Sequence, residues 1–221
     1  MARLPSPKAV APTVLSLLSF ILVAVLMAIG CSPNWQSFAL ISIDTTTLKS
    51  AFYTGTGSGL PIHDAYSLHL QTTFKFLPLT LIQNDLTTHY SRQTIDSLRI
   101  PGGIQDIFTK KYNLILHVAF ILYIFAITST GAGILLGGAA MFDLFGKAAL
   151  VGLGNAVLAT LLLFVASTMT TAIQFNATSV INALGAPIGI AAIHGSGFMT
   201  LTWCSCVTSL LAAGAWFVVD K

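Results

Sequence analysis

Four long apolar runs alternate with one long polar stretch along the chain. A bilayer-spanning helix needs about 20 predominantly apolar residues. The runs predict transmembrane helices over 10–31, 113–142, 147–172 and 188–219. The pieces between them are unequal. Residues 1–9 and 220–221 form short tails, 143–146 a tight turn, and 173–187 a short polar loop ending at Pro187. Residues 32–112 are too long for a simple connection and predict a folded unit of their own.

Within 32–112 the pattern changes period. Residues 35–43, rich in aromatic and β-branched side chains, read as a strand. A second strand is expected over 67–76. The glycine-rich segment 54–59 reads as a turn or loop. Weak helical spacing marks 85–98 and 104–111, on either side of the Pro101-Gly102-Gly103 break. The expected fold class is mainly α: a four-transmembrane-helix bundle with a long extracellular loop after the first helix that carries short β-strands.

Composition sharpens the class. Of 221 residues, 55% are hydrophobic and only 8% charged, against about 25% charged in soluble domains. That excludes an ordinary soluble fold, and the hydrophobicity excludes a disordered chain. No Lys/Arg run points to nucleic acid. Cys31, Cys204 and Cys206 are neither a disulfide framework nor a zinc pattern. The first apolar run exceeds the 7–15 residues of a signal-peptide core, which favours a retained helix over a cleaved one.

Charge also orients the spans. Arg3, Lys8, Lys147 and Lys221 all lie on the side of the termini, and 173–187 has no Lys or Arg. The positive-inside rule then predicts a multi-pass plasma-membrane protein with cytoplasmic N- and C-termini. Lys110 and Lys111 oppose this weakly, in a loop long enough to escape the rule. The sequon Asn176-Ala177-Thr178 falls on the predicted outer side, which makes Asn176 a glycosylation candidate.

Inside the spans, small residues recur every four positions. Gly133 and Gly137 form one such pair, Ala148, Gly152, Ala156 and Thr160 a stripe, and Ser205, Ser209 and Ala213 another. Between helices in lipid, close backbone approach replaces the hydrophobic drive. These faces predict packing within the bundle, with contact to another integral membrane protein or a second copy as the sharper alternative. His117 and His194 are the imidazoles expected inside spans, each on the order of 8–10 Å from the outer end. They form a possible pH-sensitive pair. The bland reading is two hydrogen-bonded polar residues near the interface. Asn155, deeper, is expected to bond across helices.

Other chemistry is poorly supported. Gly195-Ser196-Gly197 after His194 lacks the separated base of an intramembrane serine protease. Residues 54–59 lack the strand–loop–helix setting of a phosphate loop. His63, His69 and His89 have no metal spacing. No carboxylate lies within a span, which argues against proton-coupled transport and acid–base catalysis there. The sequence therefore implies no enzyme, cofactor or metal. A single-copy channel pathway is also poorly supported, and an oligomeric channel or small transporter remains as an alternative.

One helix, a long outer loop opening on a strand, then three closely connected helices: this layout looks claudin-like. The local sequence after the first span, Trp35 and Phe38 leading through an aliphatic strand to Asp44 and Thr45, resembles the fungal cortical patch (eisosome-associated) and PalI family. Residues 32–112 hold no cysteine, so the cysteine pair carried by many cortical patch members is missing. The resemblance implies a fungal plasma-membrane organiser acting through lateral helix contacts and the outer loop, with membrane lipids and another membrane protein, or itself, as partners. Its PalI branch implies instead an accessory subunit of an ambient-pH sensor.

Overall fold

The computed structural model describes residues 7–30, 39–46, 65–68, 112–142, 147–186 and 189–219. After a 3-10 turn at Pro7–Ala9 come α1 (Val10–Gly30), β1 (Ile41–Asp44), β2 (Ala65–Leu68), α2 (Asn113–Met141), α3 (Ala148–Gly185), β3 (Ala191–His194) and α4 (Ser196–Val219). Four of these helices are long and apolar enough to cross a membrane. Strands run over Ile41–Asp44 and Ala65–Leu68; they overlap the strands expected over 35–43 and 67–76 at 41–43 and 67–68, and residues 35–38 and 69–76 lie outside the described residues. Trp35, Phe38, Cys31, the glycine-rich segment 54–59, the helices expected over 85–98 and 104–111, and the turn 143–146 lie outside the described residues.

The chain divides into two compact units. One comprises Met1–Ile29, Val118–Met169 and Gly197–Lys221; the other comprises Gly30–His117 and Thr170–Ser196. The part of α3 assigned to the first unit, 148–169, is about 33 Å long at 1.5 Å per residue, close to the roughly 30 Å of a hydrocarbon core.

Two expectations fail, for related reasons. Residues 173–185 of the expected loop are helix: α3 runs 38 residues, to Gly185. The polar residues Gln174, Asn176 and Thr178 masked a helical stripe of Ile173, Ala177 and Ile181, each 2% exposed or less. That stripe continues the buried row of Ala159, Leu163 and Ala166. The helix of the fourth span is shorter than the expected 188–219. Gly189, with φ 74°, turns the chain in the left-handed region that glycine tolerates. Ala191–His194 then extend as a strand, and α4 starts at Ser196.

In the second unit the three strands form one sheet in the order β2-β1-β3. β1 is central and antiparallel to both neighbours, with Ile43 opposite Tyr66 on one side and Ala192 on the other. Ile41 and Ile43 of β1 are buried while Ser42 and Asp44 are half-buried, the alternation expected of a strand with one covered face.

Candidate functional site

In the first unit the small residues make room for side chains of neighbouring helices. A Cβ on Gly137 would collide with the Thr13 hydroxyl of α1. At Gly133 it would lie 3.2 Å from Ser16 Oγ and 3.3 Å from Asn155 Nδ2. At Gly152 it would meet the Trp216 ring at 2.8 Å. Trp216 is fully buried and clusters with Ala156 and Ala213, while Ala148 is buried as well. The stripes read from the sequence are therefore contact surfaces inside this unit.

Polar side chains link the same helices. Ser129 of α2 donates to Asn155 Oδ1 at 2.9 Å, and Asn155 Nδ2 donates back to the Ser129 carbonyl at 2.8 Å. Tyr123 of α2 and Ser167 of α3 both bond the Thr202 hydroxyl of α4, at 2.6 and 2.7 Å. Thr160 bonds Ser209 at 3.0 Å, and Ser19 of α1 donates to the Ser205 carbonyl at 3.3 Å. Asn155 thus bonds across helices as expected. The Tyr123–Thr202–Ser167 chain, all three buried, is invisible to residue spacing because it joins three separate helices. Cys204 is exposed and Cys206 buried. A cleft of about 350 Å³ is lined by Lys8, Ala11, Ala215, Val218 and Val219. A second, of about 370 Å³, has Ser129 and Asn155 among Phe125, Leu158 and Leu162.

In the second unit polar side chains finish the sheet. Asp44 Oδ1 accepts from the Thr46 backbone N–H at 2.9 Å and the Thr46 hydroxyl at 2.7 Å. This turn closes β1 and explains why the strand ends on Asp-Thr-Thr. The two hydrogen bonds hold the Asp44 carboxyl below its ordinary value near 3.8, with slight desolvation opposing. Thr45 is fully buried.

The edge of β3 is covered in a way the sequence did not announce. Asn182 of α3 accepts from the Ala192 N–H at 2.6 Å and donates to the Ala192 carbonyl at 3.1 Å. Its carboxamide occupies the place of a further strand. The Gly195 N–H donates to the Leu40 carbonyl at 3.2 Å. A Cβ at Gly195 would strike the Ala39 carbonyl oxygen, so only glycine lets the chain pass this close. The signal for Asn182 was its place one residue past Ile181 on a helical stripe, obscured by the polar neighbours.

His194 is not at depth in a span. It precedes α4, on β3, exposed, with its ring 5.1 Å from that of Phe175. His117 lies half-buried near the start of α2. Asn176 is exposed on α3, and its Nδ2 donates to the Ala172 carbonyl at 2.8 Å. Gln174 and Thr178, buried on the same helix, have side-chain polar atoms without hydrogen-bond partners among the described residues. Among the described residues no cluster of three or more His, Cys, Asp or Glu forms a metal site. No family model, curated protein or solved structure matches the chain.

Proposed function

We propose that the chain is a non-enzymatic organiser of the plasma membrane, with cytoplasmic termini and the sheet-bearing unit facing outward. It acts by lateral contact with another integral membrane protein or a second copy, by contact with lipids, and through the outward unit. One observation carries this reading: a set of hydroxyl and amide groups of the spans is engaged across helices. Ser129 pairs with Asn155, Thr160 with Ser209, and Tyr123 and Ser167 with Thr202. Polar groups used as interhelical links close a bundle; a conduction path instead presents them to an aqueous lumen. The spans also hold no Asp, Glu, Lys or Arg between residues 10 and 29, 118 and 141, 148 and 169, or 197 and 219. The resemblance of the segment ending at Asp44 and Thr45 to cortical patch proteins supports the same reading.

The test has two arms on the full chain. Crosslinking in native membrane identifies its neighbours, and reconstitution of the purified protein in liposomes measures ion flux. An organiser gives reproducible crosslinks to membrane proteins or to itself, and no flux. Flux from the pure protein overturns the proposal in favour of an oligomeric channel. Crosslinks confined to a seven-span receptor turn it into the accessory-subunit reading.

A further inference from the structure

The fold splits the sequon. Asn176 and Thr178 are two residues apart on one helix, so their side chains leave it about 200° apart. Asn176 is on the exposed side. Thr178 is 3% exposed, and its hydroxyl finds no hydrogen-bond partner among the described residues. Helical threonines elsewhere in α3 behave differently. Thr160 and Thr168 each donate to the carbonyl four residues back, at 2.8 Å. Burial of an unpaired hydroxyl costs stability, and an apolar side chain of the same shape serves such a site at least as well. The Thr178 hydroxyl therefore does nothing favourable for the folded helix.

We infer that Asn176 is an N-glycan acceptor modified on the extended chain, before α3 closes over residues 170–185, and that the Thr178 hydroxyl serves that step alone. The donor class is a lipid-linked oligosaccharide diphosphate presented by a lumenal transferase. Asn176 Nδ2 forms a bond to the anomeric carbon of the sugar. The sugar–phosphate C–O bond breaks, the lipid diphosphate leaves with the electron pair, and one amide proton passes to a base. Nothing is oxidised or reduced. The transferase reads the asparagine amide and the threonine hydroxyl together, which an extended chain allows and the helix forbids. Once attached, the glycan projects from the exposed side of α3, where the folded helix accommodates it. The inference rests on the outward orientation proposed above.

The test expresses the full chain in a eukaryotic secretory pathway and compares its gel mobility before and after N-glycosidase. The wild type is expected to shift, Asn176→Gln and Thr178→Val to lose the shift, and Thr178→Ser to retain it. Full-length protein made without glycan and folded in detergent, then offered to the detergent-solubilised transferase with its lipid-linked donor, is expected to stay unmodified. Thr178→Val is expected to unfold at a temperature no lower than Asn176→Gln, since both lack the glycan. A wild type with no shift overturns the inference, as does modification of the folded chain as efficient as that of the nascent one. A Thr178→Val midpoint well below that of Asn176→Gln overturns the role given to the hydroxyl. An Ala186→Cys variant labelled with a membrane-impermeant maleimide separates the causes. Outside labelling without a glycan sinks the inference alone, whereas protection from outside sinks the orientation with it.

Discussion

Several side-chain hydrogen bonds of the first unit tie helix to helix, whereas the second unit uses side chains to finish the end and the edge of a sheet. Ser129 and Asn155 join α2 to α3, and Thr160 and Ser209 join α3 to α4. Asn182 and Asp44 instead hold backbone groups, at Ala192 and Thr46. Glycine divides the same way. Gly137 and Gly152 admit the side chains of Thr13 and Trp216, while Gly195 admits a backbone carbonyl. The difference follows from what each unit must satisfy. Membrane helices have already used their backbone groups internally, so only side chains remain to specify contacts. The edge of β3 presents open backbone groups, and a polar side chain is an economical cover.

The largest effect is expected where glycine meets backbone. A methyl at Gly195 cannot displace the Ala39 carbonyl without moving β1 from β3, so Gly195→Ala is expected to destabilise the second unit by about 3 kcal/mol. Gly152→Ala presses on the Trp216 ring, which has some freedom to tilt, and is expected to cost about 2 kcal/mol in the first unit. Thermal unfolding in detergent, followed by the accessibility of a cysteine placed in each unit, reads the two separately. Equal losses from both substitutions would break the distinction between backbone and side-chain contact.

Removing the edge cover tests the second unit differently. Asn182→Ala frees the Ala192 N–H and carbonyl and removes two hydrogen bonds, for an expected loss of about 2 kcal/mol. The bared edge is also a template for pairing with another chain. Size-exclusion chromatography in detergent is expected to show new, concentration-dependent oligomers. If Asn182→Ala stays in the parent's oligomeric state at all concentrations, the amide is not guarding the edge.

The spans were legible because an apolar run of bilayer length seldom forms anything but a spanning helix. α1 and α2 match the expected limits within a residue. The strand at β1 was legible in part from its β-branched residues, whereas Asp44 entered only through the family-like motif and its bonds to Thr46 were not read from the sequence. β3 was not. Ala191, Ala192 and Ile193 continue an apolar run into α4, and a short apolar strand cannot be told from buried helix by periodicity. Gly189 and Gly195, which bracket it, were the available signal. The extension of α3 was hidden by the opposite error, since polarity at Gln174, Asn176 and Thr178 outweighed the stripe of Ile173, Ala177 and Ile181. The partners of Tyr123 and Asn182 come from distant segments, and no local pattern encodes them.

In the first unit the polar links are expected to be individually weak. Thr160→Ala and Ser209→Ala, combined in a double-mutant cycle, are expected to give a coupling of about 0.6 kcal/mol, the average for such bonds in membranes. The alternative to the link is not water but another carbonyl within reach, and Thr160 already shares its hydroxyl with the Ala156 carbonyl at 2.8 Å. Refolding equilibria in mixed micelles resolve a difference of this size. A coupling above about 2 kcal/mol would make these bonds the main support of the bundle and displace the glycine contacts from that role.

The smallest effect belongs to Asp44, and it carries a sign. The Thr46 N–H and hydroxyl favour the carboxylate, so its folded pKa lies below the ordinary value near 3.8. A group depressed in the folded state binds its proton more readily when unfolded, and its stabilisation is present in full above the unfolded pKa. That stabilisation fades as pH falls from about 4 through the lower folded value. The two hydrogen bonds are exposed to solvent, which screens the charge, so the expected loss is about 0.5 kcal/mol, the low end for a net hydrogen bond. Asp44→Asn keeps an acceptor for both Thr46 donors but does not titrate, while Asp44→Ala removes the acceptor itself. Stability of the second unit, measured from neutral pH downward, should therefore converge for wild type and Asp44→Asn only in acid, with Asp44→Ala below both at neutral pH. A wild-type curve parallel to that of Asp44→Asn across the acid range would mean that the charge adds nothing to the turn, and that its geometry alone ends β1.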